Sequence, residues 1–127
     1  MNALVLSLLI LLAIPALAVQ EVTFKEVEKI VEKSDIPVVL DIYATWCGPC
    51  KFLAPMLEKA ESKYKGKIKI IKVDYDKNPD LKGKVRAFPT LVIITKDGDK
   101  IKFKTHEGAF DSQKELEKFL DKILKAK

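Results

Sequence analysis

The stretch "VVLDIYATWCGPCK", residues 38–51, joins a short apolar run to the only two cysteines of the chain. Val38 to Ala44 is rich in β-branched and aromatic side chains, the composition of a strand buried on both faces, and a single carboxylate, Asp41, interrupts it. From about Gly48 the pattern changes: Phe52, Leu53, Met56, Leu57 and Ala60 recur at the spacing of one helix face and predict a helix to Tyr64, kinked at Pro55. After Gly66, "IKIIKV" restores a strand pattern. Strand, helix and strand therefore form a right-handed parallel βαβ unit, with Cys47 where the first strand hands over to the helix.

Working outward, Phe24, Val27, Ile30 and Val31 predict a helix between Thr23 and Lys33, which "SDIP" stops. Beyond the second strand, Pro79 to Val85 reads as a short helical or irregular piece. "TLVIIT" from Thr90 and "KIKFK" from Lys100 flank the turn "KDGD", where Asp97-Gly98 signals a hairpin. Ser112 and Glu115 form a capping box for a last helix that turns Leu116, Phe119, Leu120, Ile123 and Leu124 to the sheet. The class is α/β: one mixed sheet with helices on both faces, in a chain of 127 residues that has room for one domain.

The formal net charge is +5, yet the basic residues are spread among acidic ones, and Arg86 is the only arginine. A nucleic-acid surface would cluster its basic groups with arginines and aromatics, so nucleic acid is not an expected partner. "MNALVLSLLILLAIPALAVQ", residues 1–20, carries no charged side chain. An apolar core followed by Ala16-Leu17-Ala18 is the pattern of a secretory signal cut after Ala18, which makes 19–127 the mature domain and places it outside the cytoplasm, periplasmic or extracellular. Uncut, residues 1–18 are long enough to anchor the domain to the outer face of the cytoplasmic membrane.

Two cysteines separated by two residues allow four readings: a structural disulfide, a metal clamp, two inert thiols, or a dithiol that exchanges with other disulfides. A bridge closing so small a loop adds little chain-entropy stabilisation. Zinc wants four ligands, and here the pair has one distant histidine, His106, which reads as an exposed strand-end residue. A copper site built from Cys47, Cys50 and His106 stays open on grounds of ligand softness. Exchange is favoured by position, because the unpaired N–H groups at a helix start stabilise a thiolate on Cys47, and Cys50, one turn on, is placed to resolve a mixed disulfide. Asp41 has its own physical case: a carboxylate inside an apolar strand loses hydration, its pKa rises, and it becomes a proton acceptor near neutral pH.

"ATWCGPCK" after the strand carrying Asp41, together with "FPT" at residues 88–90, resembles the thioredoxin family over about residues 23 to 125. The resemblance implies the thioredoxin fold and a redox-active Cys47–Cys50 pair that needs neither cofactor nor metal. It implies that Pro89 is a cis-proline beside the sulfurs, that Asp41 accepts the proton of the resolving Cys50, and that Lys72 faces and moderates Asp41. Trp46, Gly48, Pro49, Phe88 and Gly108 correspond to the apolar surface on which partner proteins dock. Two departures stand out. Only about four residues lie between the expected cleavage site after Ala18 and Thr23, so the family's first strand is short or absent and the sheet has four to five strands, and the segment from Pro79 to Pro89 is about two residues shorter than in common members.

The expected function is protein thiol–disulfide exchange outside the cytoplasm, by a monomer whose partners are cysteine-containing substrate proteins and an electron donor such as a membrane reductase. The reducing direction is expected, because Gly48-Pro49 between the cysteines resembles the reducing members, although a location outside the cytoplasm favours a disulfide-forming oxidant. The alternatives are that oxidant and a copper-binding or docking module.

Overall fold

A computed structural model describes residues 19–126, so the expected signal or anchor at 1–18 lies outside the described residues. Five strands form one sheet: β1 (Gln20–Glu21), β2 (Val38–Tyr43), β3 (Lys69–Asp74), β4 (Thr90–Asp97) and β5 (Lys100–Glu107). Their order is β1-β3-β2-β4-β5. The β1·β3 and β2·β3 pairs are parallel, and the β2·β4 and β4·β5 pairs antiparallel. The first strand exists but spans two residues, so the sheet takes the larger of the two expected strand counts.

The helices are α1 (Phe24–Lys33), α2 (Gly48–Lys63) and α3 (Gln113–Lys125). Side chains alternate across a strand, and β2 shows the result. Val38, Leu40 and Ile42 pack with Val27 and Val31 of α1 on one face. Val39 packs with Leu53 and Leu57 of α2 and Leu116 and Leu120 of α3 on the other. The central strand is thus buried on both sides, as its apolar run predicts.

The α2 stripe differs at one position: the buried residues are Cys50, Leu53, Leu57 and Ala60, whereas Phe52 is exposed. Phe52 lies about 100° around the helix from Leu53, outside the stripe that Cys50 completes. The helix also runs through Pro55. Between β3 and β4 only a 3₁₀ turn at Pro79–Leu81 is helical. In the hairpin, Asp97 pairs with Lys100, so the loop is Gly98-Asp99 rather than Asp97-Gly98. Gly98 has φ +60°, the conformation required at the first position of a type II′ turn.

The starts of α1 and α3 are capped by side chains. The Ser112 side chain accepts from the Glu115 N–H at 3.3 Å, and the Glu26 carboxylate accepts from the Thr23 N–H at 3.0 Å at the start of α1. Glu115 turns its carboxylate to Lys118 instead of back to Ser112, so only half of the expected box forms. Ser112→Ala is expected to lower stability by about 1 kcal/mol, checked by urea unfolding.

Candidate active site

Cys47 is the N-cap of α2 and Pro49 sits in its first turn, where a missing N–H breaks no helical hydrogen bond. The cap brings the Cys50 N–H onto Cys47 Sγ at 3.2 Å. The two sulfurs are joined as a disulfide with Cα atoms 5.3 Å apart. Both cysteines are buried against Ala44, with Tyr43 and Phe88 packed around them. The helix start therefore holds one sulfur under the Cys50 N–H and places the other on the buried face of α2.

Phe88-Pro89 is a cis peptide, as expected. The Pro89 carbonyl accepts from the Gly108 N–H at 2.8 Å, which ties the loop before β4 to the end of β5. Gly108 has φ +91°, a conformation that only glycine adopts without strain. Trp46 is 64% exposed and meets the Phe88 ring edge-on at 5.4 Å between centroids. Its indole N–H donates to Asp76 at 2.9 Å, so the ring is held on the surface rather than buried. Trp46, Pro49, Phe88 and Gly108 thus belong to segments that converge around the disulfide, and Gly48 opens α2 beside Cys47.

Asp41 is 4% exposed, and its Oδ1 is buried without a hydrogen-bond partner. Loss of hydration raises its pKa from 3.8 to about 7, against the opposing pull of Lys72. Asp41 and Lys72 pair directly across β2 and β3. By strand alternation both face α2, as Val39 and Ile70 do, and Cys50 lies on the buried face of that helix. The Lys72 ammonium makes no ion pair with Asp41 within 4.0 Å and lies 5.8 Å from the centre of the Tyr43 ring. It moderates the acid by its field and leaves an acceptor oxygen free.

Two participants escaped the sequence reading. Tyr43 packs against the cysteine pair and donates its hydroxyl to Glu21, linking β1 to the site. Its place next to the motif was the available signal. Asp76, which holds Trp46, sits in a loop with no local pattern to mark it.

His106 needs correction. It is half-buried, stacked on Phe110 at 4.4 Å with an interplanar angle of 7° and tilted against Phe119 at 5.2 Å. It packs into this aromatic cluster beside α3, while the side chains around the sulfurs are Ala44, Tyr43 and Phe88. Among the described residues no three His, Cys, Asp or Glu side chains group as a metal site would need.

The thioredoxin family model matches residues 18–122. Thioredoxin from Pseudomonas aeruginosa is 43% identical over 102 residues, covering 79% of this chain and 91% of that one. Thioredoxin Y1, chloroplastic, from Arabidopsis thaliana is 37% identical over 103 residues, covering 80% of this chain but 58% of that longer protein. Among solved structures, chloroplastic thioredoxin z superposes with a TM-score of 0.74 at 33% identity, covering 83% of this chain and 93% of that one. Trichomonas vaginalis thioredoxin gives 0.72 at 27% identity, over 88% and 100%. Fold, cysteine pair and relatives agree: the chain belongs to the thioredoxin family of thiol–disulfide oxidoreductases, which act on protein cysteines through their own disulfide.

Proposed function

We propose that the protein is an exported reductant of protein disulfides, with Cys47 as nucleophile and Cys50 as resolving thiol. The observation that carries this reading is the asymmetric setting of the pair: Cys47 Sγ faces the Cys50 N–H at a helix start, and Cys50 is turned inward on the side of the sheet that holds Asp41. In the reduced protein the Cys47 thiolate attacks one sulfur of a substrate disulfide, and the other substrate sulfur leaves as a thiolate. Cys50 then gives its proton to the Asp41 carboxylate and attacks Cys47. The substrate's second thiolate departs, and Cys47–Cys50 becomes the disulfide, two electrons having passed to the substrate. Lys72 keeps the Asp41 pKa from rising further. Trp46, Pro49, Phe88 and Gly108 form the docking surface.

The reducing direction rests on Gly48-Pro49 between the cysteines, and export rests on the apolar residues 1–18. A reductant outside the cytoplasm needs an electron donor that crosses the membrane, so a membrane reductase is the second partner. The test is rapid acid quench and alkylation of the source cell. The pair is expected to be mostly reduced, in a fraction released by opening the outer compartment. A mostly oxidised pair there would make the protein an oxidant, and a purely cytoplasmic pool would remove export.

A further inference from the structure

The two sheet edges differ. β1 is too short to template another strand, whereas β5 offers eight residues and, among the described residues, pairs only with β4. On the α1 face, the cross-strand row Val38, Ile94, Phe103 runs from 1% to 4% to 65% exposed. The core on that face simply stops before the last strand, because the 3₁₀ turn and Val85 cover β4 and nothing described covers β5. A groove of about 630 Å³ results, walled by Phe24, Val31, Val85, Val92, Ile101 and Phe103. Exposed apolar side chains, Ile101 and Phe103, beside an open strand edge mark a binding surface rather than an ordinary solvated face.

The charge pattern selects the occupant. Along β5, Ile101 and Phe103 alternate with Lys100, Lys102 and Lys104, which project from the opposite face. Lys102 pairs with Asp97, and Lys100 and Lys104 make no ion pair among the described residues. A second copy pairing antiparallel through β5 would set lysine opposite lysine, or, slipped by one residue, lysine beside Phe103 in the groove. Both registers are unfavourable. A lipid surface would meet Ile101 and Phe103 but leave the main-chain N–H and C=O groups of the edge unpaired.

We propose that β5 is a docking edge for an extended segment of a partner protein in which apolar and acidic residues alternate. Main-chain hydrogen bonds extend the sheet by a sixth strand. Apolar side chains enter the groove over Ile101 and Phe103, and acidic ones meet Lys100, Lys102 and Lys104. This surface is separate from the sulfurs, so it recruits a partner without taking part in exchange.

The experiment titrates the oxidised full chain into a fluorescein-labelled, acetylated eight-residue peptide of alternating valine and glutamate. Saturable anisotropy is expected, with amide shifts centred on residues 101–105 and weakening as salt rises. Phe103→Lys should weaken binding at least tenfold while insulin reduction and the thermal melt stay unchanged. Lys100→Glu with Lys104→Glu, which leaves the groove walls intact, should weaken it as well. The proposal is overturned by no binding, by binding indifferent to Phe103→Lys, or by equal binding of the valine–lysine peptide. Phe103-dependent self-association or adhesion to phosphatidylglycerol vesicles in place of peptide binding would overturn it too.

Discussion

Cys50→Ser is expected to convert the protein from a catalyst into a trap. Attack by Cys47 needs only its own thiolate and the N–H groups around it, and these survive the substitution, since the Cys50 N–H that faces Cys47 Sγ is a backbone group. Resolution needs a second sulfur, and a serine hydroxyl cannot displace a thiolate from a disulfide at neutral pH. Non-reducing electrophoresis and intact mass should therefore show the variant carrying insulin chains as mixed disulfides that only added thiol releases. Cys47→Ser, by contrast, should lose turnover by at least about a thousandfold and capture nothing, because the remaining thiol lies within α2 rather than at its N-cap, where N–H groups stabilise a thiolate. Capture by Cys47→Ser rather than Cys50→Ser would reverse the two roles.

Asp41→Ala is expected to make the protein more stable and slower at once. The carboxyl has a folded pKa of about 7 against an ordinary 3.8. A group raised in the folded state contributes stability that is complete below 3.8 and is lost as pH rises through about 7. The wild type should therefore weaken relative to the variant as pH rises. From the two pKa values, the difference between them should grow by about 2 to 3 kcal/mol from pH 5 to pH 8. The cavity left by the shorter side chain subtracts a constant that does not depend on pH. Chemical denaturation across that range is the check, and a pH-independent difference would mean that the acid is not perturbed. In stopped-flow measurements the wild-type resolving step should accelerate with pH through about 7 as Asp41 ionises into a proton acceptor. In the variant the step should fall on the order of a hundredfold at pH 7 and recover only near the intrinsic thiol pKa. A stability change alone, with the pH profile of the resolving step unaltered in the variant, would leave Asp41 a structural acid.

Much of this was readable from the chain because the strands and helices are locally consistent. The run 38–44 is apolar at every position but one, and the structure buries both of its faces. The hairpin turn is marked by a glycine that the backbone uses at positive φ. What was misread depends on partners distant in sequence. His106 reads as exposed at the end of an open strand, yet Phe110 and Phe119 come from beyond that strand and form a three-ring cluster with it. Phe52 reads as core from its spacing, but the stripe is completed by Cys50, which a hydrophobic count overlooks. "KIKFK" marks only part of β5, because Thr105, His106 and Glu107 are held by pairing with β4 rather than by apolar pattern. Within the site, the burial of Asp41 could be argued locally, whereas its alignment with Lys72 was visible only through the family resemblance.

That alignment has a mechanical consequence. Asp41 and Lys72 lie opposite each other in the middle of the sheet, and β2 is hydrogen-bonded to a strand on either side. The ladders on either side hold both backbones in register, so the Cα positions of the pair stay the same when a proton arrives or leaves. The pair works like a capacitor with welded plates: charge changes, geometry does not, and little reorganisation energy is spent.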